Sequence, residues 1–438
     1  MMMKRFVLPA LIGAGLVAAV TAVQGHAENT SRTYRQFDQL VDVFERIRAE
    51  YVEDIDEQKV LESAIEGMLS SLDPHSSYMG PETFRAMQVQ TEGEFGGLGI
   101  EVSMKDGFVL VVAPIDDTPA ARAGVESGDL IVQIDGEPVQ GLSQMEAIKR
   151  MRGPAGTPIV ITVMREGVDE PFDIRIIRDI IKVRSVRHEI HDDVGYIRIS
   201  TFNRQTSEGL RDSLQALRQE LGSRMTGLVL DLRANPGGLL DQAVEVSDAF
   251  LEHGEIVSTR SRNKANVERY TARAGDLAAG LPIVVLVNAY SASASEIVAG
   301  ALQDHKRAIV LGVRSFGKGT VQTIIPLGPD SAMRLTTARY YTPAGRSIQE
   351  MGIAPDIEVV QPPRADAASN EGPRREADLP GHFVNENGNG DNGEDVEKPL
   401  SRPALTDEAG DPVEDYQLAY ALKLLKSVGQ YQKKLVMN

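Results

Sequence analysis

The chain has 438 residues, 63 acidic against 46 basic side chains, and a formal net charge of −17. That length suits two or three domains with an ample core, and the acidic balance without a basic patch excludes nucleic-acid binding. With no cysteine there is no thiol nucleophile, no thiolate metal site, no disulfide framework and no lipid-attachment cysteine.

The N-terminus reads as an export signal over residues 1–27. Lys4 and Arg5 form a basic start, Phe6 to Val23 is apolar, and Gly25-His26-Ala27 offers small residues for cleavage. The expected location is therefore the periplasm. The apolar run is long, so an uncleaved anchor in the inner membrane is the alternative. Residues 28–92 follow as a helical region. Phe37, Leu40, Val41, Phe44, Ile47 and Tyr51, then Val60, Leu61, Ile65, Met68 and Leu69, recur at helical spacing. Asp73-Pro74-His75-Ser76 ends it as a turn. Such an amphipathic arm buries its stripe on another domain or on a second copy, which makes a homo-oligomer an expectation.

From Gly96 the pattern changes to short strands: Gly96 to Val102, Phe108 to Val112, Asp129 to Ile134 and Ile159 to Met164, with a helix over Ser143 to Met151. The order of these elements, with Ala120-Ala121-Arg122-Ala123-Gly124-Val125, Gly128-Asp129-Leu130-Ile131 and Ile134-Asp135-Gly136, resembles a PDZ domain, placed at 93–170. A Gly-Leu-Gly loop exposes successive N–H groups to a terminal carboxylate, and a strand edge at Ile100 to Val102 can accept an added peptide strand. Leu98, Gly99 and Ile100 are the expected peptide-binding residues.

Three short stretches then mark the chemistry. Asp231-Leu232-Arg233-Ala234-Asn235-Pro236-Gly237-Gly238 contains two residues whose missing Cβ lets a carbonyl approach the main chain. Ser291-Ala292-Ser293-Ala294-Ser295-Glu296 lies between an apolar strand, Ile283 to Val287, and a helix beginning near Ile297. A serine there has its hydroxyl near a helix N-terminus, where an oxyanion can be stabilised. Phe316-Gly317-Lys318-Gly319-Thr320-Val321-Gln322 follows the apolar strand Ala308 to Val313. A lysine acts as general base only when neutral, so the pKa of Lys318 must fall from about 10.4 to roughly 7 to 8, at a cost of about 4 kcal/mol. Gly312 to Lys318 also fits seven positions of a phosphate loop, but Gly319 stands where the magnesium-binding hydroxyl belongs. No Gly-x-Ser-x-Gly elbow and no His-Glu-x-x-His helix occurs. His188 and His191 read as an exposed polar pair on a strand, and His305 as a helix C-terminal residue. On composition alone Ser291, Ser293 and Ser295 are equivalent.

In this order, the signal, the arm, the PDZ domain and the three stretches resemble the carboxy-terminal processing proteases over Tyr34 to Val360. The resemblance implies an α/β protease core, residues 171–362, interrupted by the PDZ domain. It implies Ser293 as nucleophile, Lys318 as base, Gln322 as the group that holds the lysine amine, and Gly238 with Ala294 N–H as the oxyanion hole. Glu296 is a supporting carboxylate, and Arg178 is a weaker match to a residue coupling the two domains. It further implies protein substrates with flexible, apolar C-termini, an adaptor protein in some cases, and no metal or nucleotide cofactor. A PDZ protein that only binds peptides and a crotonase-like acyl-CoA enzyme are the alternatives, the latter opposed by the export signal. Residues 363–415, rich in Pro, Gly, Asn, Asp and Glu, read as a disordered acidic linker. A final helix over 416–438 carries Tyr416, Ala419, Leu422, Leu425 and Val428 on one stripe.

Overall fold

The structure is a computed structural model that describes residues 34–263, 265–361, 374–386 and 414–436. The expected export signal over residues 1–27, and residues 362–373 and 387–413 of the tail, lie outside the described residues. The chain divides into two units, residues 1–68 and 69–438. In the first, the two runs of helical period form a helix over residues 34–50 and most of the helix Glu57–Ser70. Tyr34, Phe37, Leu40 and Val41 are exposed on the first of these helices, and Tyr51 is exposed just past it.

The second unit is built on a six-stranded sheet. Its order is Val186–His191, Val194–Ile199, Gly227–Asp231, Ile283–Val287, Ala308–Gly312 and Ile357–Glu358. The first pair is antiparallel and every later pair is parallel. A parallel strand covered on both faces needs apolar residues at every position, not at alternate ones, and Ile283–Val287 is buried throughout. Ile283, Val285 and Val287 pack with the helices Thr206–Leu221, Leu240–Asp248 and Ala294–Asp304 on one face. Val284 and Leu286 face the opposite way, against Tyr416, Ala421 and Leu425 of the helix Tyr416–Val436. The C-terminal helix thus docks back on its own chain.

A second sheet joins Ser77–Met79, Ala332–Tyr341, Glu255–Ser261 and Val267–Thr271, with Thr320–Pro326 on the other edge of Ala332–Tyr341. The PDZ sheet runs Ile100–Lys105, Phe108–Pro114, Leu130–Ile134, Pro158–Met164, Phe172–Ile177. Its last strand lies beyond the expected boundary at 170, because Ile174 and Ile176 alternate into the PDZ core. The chain enters and leaves this domain through two paired strands, Glu94–Gly97 and Asp179–Lys182.

One expectation fails for part of the tail. Residues 374–386, assigned to the disordered linker, fold onto the protein around a short 3-10 turn, Glu376–Asp378, whose Glu376 is fully buried. Their composition is polar, but the hydrogen bonds described below anchor them.

Candidate active site

The three stretches follow three neighbouring parallel strands, so their loops emerge together at one end of the sheet. Gly227–Asp231 leads to Gly237-Gly238, Ile283–Val287 to Ser293, and Ala308–Gly312 to Lys318. The carboxyl ends of parallel strands, where helices begin, are the usual place for a site in such sheets.

The structure distinguishes the three serines. Ser291 Oγ donates to Leu232 O at 2.8 Å and accepts from Asn288 N at 2.9 Å; Ser295 Oγ donates to Asn235 O at 3.0 Å. Both hydroxyls are buried and committed to the main chain. Ser293 sits at the N-cap of the helix Ala294–Asp304, 7% exposed, at φ 56° and ψ −111°. A non-glycine residue there is strained, and such strain survives only where the surroundings enforce it. Its side chain neighbours the Glu296 N–H in a capping box and the Tyr340 phenol, whose pKa burial pushes up to about 12.

Two main-chain donors flank this serine. Among the described residues neither Gly238 N–H nor Ala294 N–H has a protein acceptor. Phe202 N donates to Gly237 O, and Leu239 N to Phe202 O, which turns the intervening Gly238 N–H the other way. Gly237, at φ 98°, lies so close that a Cβ on it would be 2.9 Å from Ser293 Cβ and 3.0 Å from Ala294 N. Asn235 holds the loop: its Nδ2 donates to Ile199 O, and its Oδ1 and O accept from Gly237 N and Ala292 N.

Glu296, fully buried, joins the serine to the lysine loop. Its carboxylate accepts from Ser293 N at 2.7 Å, Ser315 Oγ at 2.6 Å, Gly317 N at 2.7 Å and Lys318 N at 3.0 Å. Burial pushes its pKa up to about 7, against the pull of these four donors. The Lys318 side chain is half-buried, and desolvation lowers its pKa, opposed chiefly by Glu376. Its amine makes no hydrogen bond within 3.5 Å among the described residues. Gln322, expected to hold that amine, instead turns its Nε2 to Thr320 Oγ1 at 3.0 Å and Thr336 Oγ1 at 3.3 Å. Facing the lysine is a cluster that the sequence reading missed, Asp73, Arg334 and Glu376; no spacing in the chain brings these together.

His188 Nδ1 meets Ser213 Oγ, and His305 Nε2 meets Glu255 O at 2.7 Å. Among the described residues no cluster of three or more His, Asp or Glu side chains could hold a metal ion.

In the PDZ domain, Gly99 has φ 79° and packs on Thr118, whose Oγ1 donates to Gly99 O. Leu98 N–H and Gly99 N–H donate to no protein group among the described residues. The Leu98 side chain points into the domain core. Ile100 begins a strand with one unpaired edge, where Gln144 Nε2 occupies Val102 O at 2.9 Å. Arg178, buried, binds the carbonyls of Arg150, Met151 and Pro158 and so grips the end of the helix Gln144–Met151.

The family model for Peptidase family S41 matches residues 193–359 and that for a PDZ domain residues 96–176. The Activating protease CtpB N-terminal domain matches residues 10–83. The carboxy-terminal-processing protease of Bartonella bacilliformis is 50% identical over 96% of this chain and 95% of its own length. The chain belongs to the carboxy-terminal processing proteases. Carboxy-terminal processing protease CtpB of Bacillus subtilis is 36% identical, over 80% of this protease and 75% of that relative. Among solved structures, the photosystem II D1 C-terminal processing protease is 28% identical with a TM-score of 0.42, covering 73% of this protease and 92% of that chain. The chain is therefore a protease with an α/β core and an embedded PDZ domain, not a peptide-binding protein alone and not an acyl-CoA enzyme.

Proposed function

We propose that this protease is a serine endopeptidase of the bacterial envelope that cuts proteins near their C-terminus, with Ser293 as nucleophile and Lys318 as base. The observation that carries the reading is the state of the three serines: Ser291 and Ser295 are tied to carbonyls, while Ser293 lies beside two unpaired N–H groups. Neutral Lys318 takes the proton of Ser293 Oγ as that oxygen attacks the peptide carbonyl. Gly238 and Ala294 N–H hold the resulting oxyanion. The lysine returns the proton to the leaving amine, and water, deprotonated in turn, releases the acyl group from the serine. The missing hydrogen bond between Lys318 and Ser293 fits a resting site that closes when substrate arrives. The PDZ domain receives the substrate's C-terminal carboxylate at Leu98, Gly99 and Ile100, and its apolar tail along the free strand edge. The export signal is the basis for the envelope location.

The test is cleavage of an unfolded protein ending in apolar residues by wild type, Ser293→Ala and Lys318→Ala across a pH series. Both variants should lose turnover, and the wild-type rate should rise with pH through an apparent pKa below 10.5, because desolvation lowers the lysine's pKa. Turnover that survives Ser293→Ala rejects the assignment.

A further inference from the structure

We infer that Glu376, carried in on a strap of residues 374–386, is a positioning residue that braces the Lys318 loop and, through its negative charge, favours the protonated amine. The inference rests on the reading of Lys318 as the base.

The argument starts from what holds the loop Phe316 to Gly319. On one side, Glu296 accepts from Gly317 N and Lys318 N. On the other side Glu376 grips both ends of the same loop. Its main-chain N–H donates to Phe316 O at 3.1 Å. Its carboxylate accepts from Gln349 Nε2 at 2.9 Å, and Gln349 Oε1 in turn accepts from Gly319 N at 3.0 Å. There is no spare room: a Cβ on Gly319 would lie 2.2 Å from Gln349 N, and one on Gly317 would lie 2.8 Å from Glu350 O. The rest of the strap is pinned nearby, His382 Nε2 to Glu350 at 2.7 Å and Asn385 N to Glu350 at 2.6 Å.

A buried carboxylate in this position acts on the base through its charge. The charged groups facing Lys318 are Glu376 from the strap, Arg334 from the strand Ala332–Tyr341, Glu296 from the helix Ala294–Asp304 and Asp73 from the turn before Ser77–Met79. Glu376 is the largest of the influences favouring the charged amine. Glu376 is itself held ionised by His75, whose Nε2 lies 2.8 Å from its Oε2, and by Gln349, despite burial. A lysine acts as base only once it has lost its proton, so an anion here holds that loss back.

The test reads the amine directly. In the full-length chain carrying Ser293→Ala, Lys318 is labelled with acetic anhydride across a pH series and quantified by mass spectrometry, with and without Glu376→Gln. The expected result is a titration lowered by about one unit in Glu376→Gln, the lower end of the effect of a nearby opposite charge. In the otherwise wild-type enzyme the acid limb of kcat/KM should move down equally, raising the rate on that limb by up to about ten-fold. A strap that only stabilises the fold would lower Tm and the rate at every pH and leave the titration unmoved. If Glu376→Gln loses its cooperative melt, Glu376→Asp draws the charge back by one methylene and should move the titration the same way by a smaller amount. Coincident titrations in wild type and a folded variant overturn the inference. A shifted titration together with turnover that survives Ser293→Ala would leave the positioning role standing and remove the nucleophile assignment instead.

Discussion

A carboxylate with no exposed surface persists only if its lone pairs are filled, and Glu296 fills them with four donors from two separate loops. Replacing it by glutamine turns an NH2 toward those donors and leaves at least one N–H unpaired, at a cost of about 2 kcal/mol. The pH dependence carries the sign of its shift. Because the folded-state pKa, about 7, lies above the ordinary 4.5, the folded chain binds this proton more tightly than the unfolded chain. The stability it contributes is greatest below 4.5 and is lost as pH rises to about 7. Urea denaturation of wild type and Glu296→Gln should therefore give a stability difference that moves against the wild type across that window; a difference flat in pH would show that the carboxylate keeps its ordinary affinity. Ser293 and Glu296 were legible in the sequence as a motif. Which serine keeps its hydroxyl off the main-chain carbonyls was not, because the partners of Ser291 and Ser295 are carbonyls at Leu232 and Asn235, on a different loop. Glu376 was not legible at all, since its partners His75, Gln349 and Phe316 come from three distant stretches.

At the level of elements, the parallel strands announced themselves as unbroken apolar runs, and the order of the three motifs became their spatial order because each follows a neighbouring strand. The C-terminal helix shows what a stripe alone leaves open. Its apolar face was readable, but its target was not, because the receiving residues Val229, Val284 and Leu286 alternate with others facing the opposite core. Arg233 fixes the register, pairing with Asp231 at 2.6 Å and Asp415 at 2.7 Å at the start of the helix. Leu425, 1% exposed, lies over Gly227, where a Cβ would come within 2.9 Å of its side chain. Leu425→Ala opens a cavity between helix and sheet and should cost about 2 to 5 kcal/mol in a denaturant titration. A loss under about 1 kcal/mol would mean that the helix is not part of the cooperative core.

Across the whole second unit, the proposed function requires two activities to meet: a groove that receives a C-terminus and a dyad that cuts. The connection between them is narrow. The ribbon of Glu94–Gly97 and Asp179–Lys182 ties the PDZ domain to the core, and Gly153, just past the groove helix Gln144–Met151, donates its N–H to Gly96 O of that ribbon. Contact there is so close that a Cβ on Gly96 would lie 2.1 Å from Gly153 O. Arg178 holds the same helix end by the carbonyls of Arg150 and Met151. A peptide strand entering beside Ile100–Lys105 must displace Gln144 from Val102 O and bear on this helix. The displacement then reaches the ribbon through Gly153. Gly96→Ala forces the ribbon and the helix end apart while leaving the groove's strand edge untouched. In calorimetry the variant should bind a C-terminal apolar peptide within about three-fold of wild type, a difference under 1 kcal/mol. Any stimulation of proteolysis by that peptide in the wild type should be lost in the variant. Equal stimulation in both would show that the domains communicate by a route other than the ribbon, and lost binding would place the damage in the groove itself.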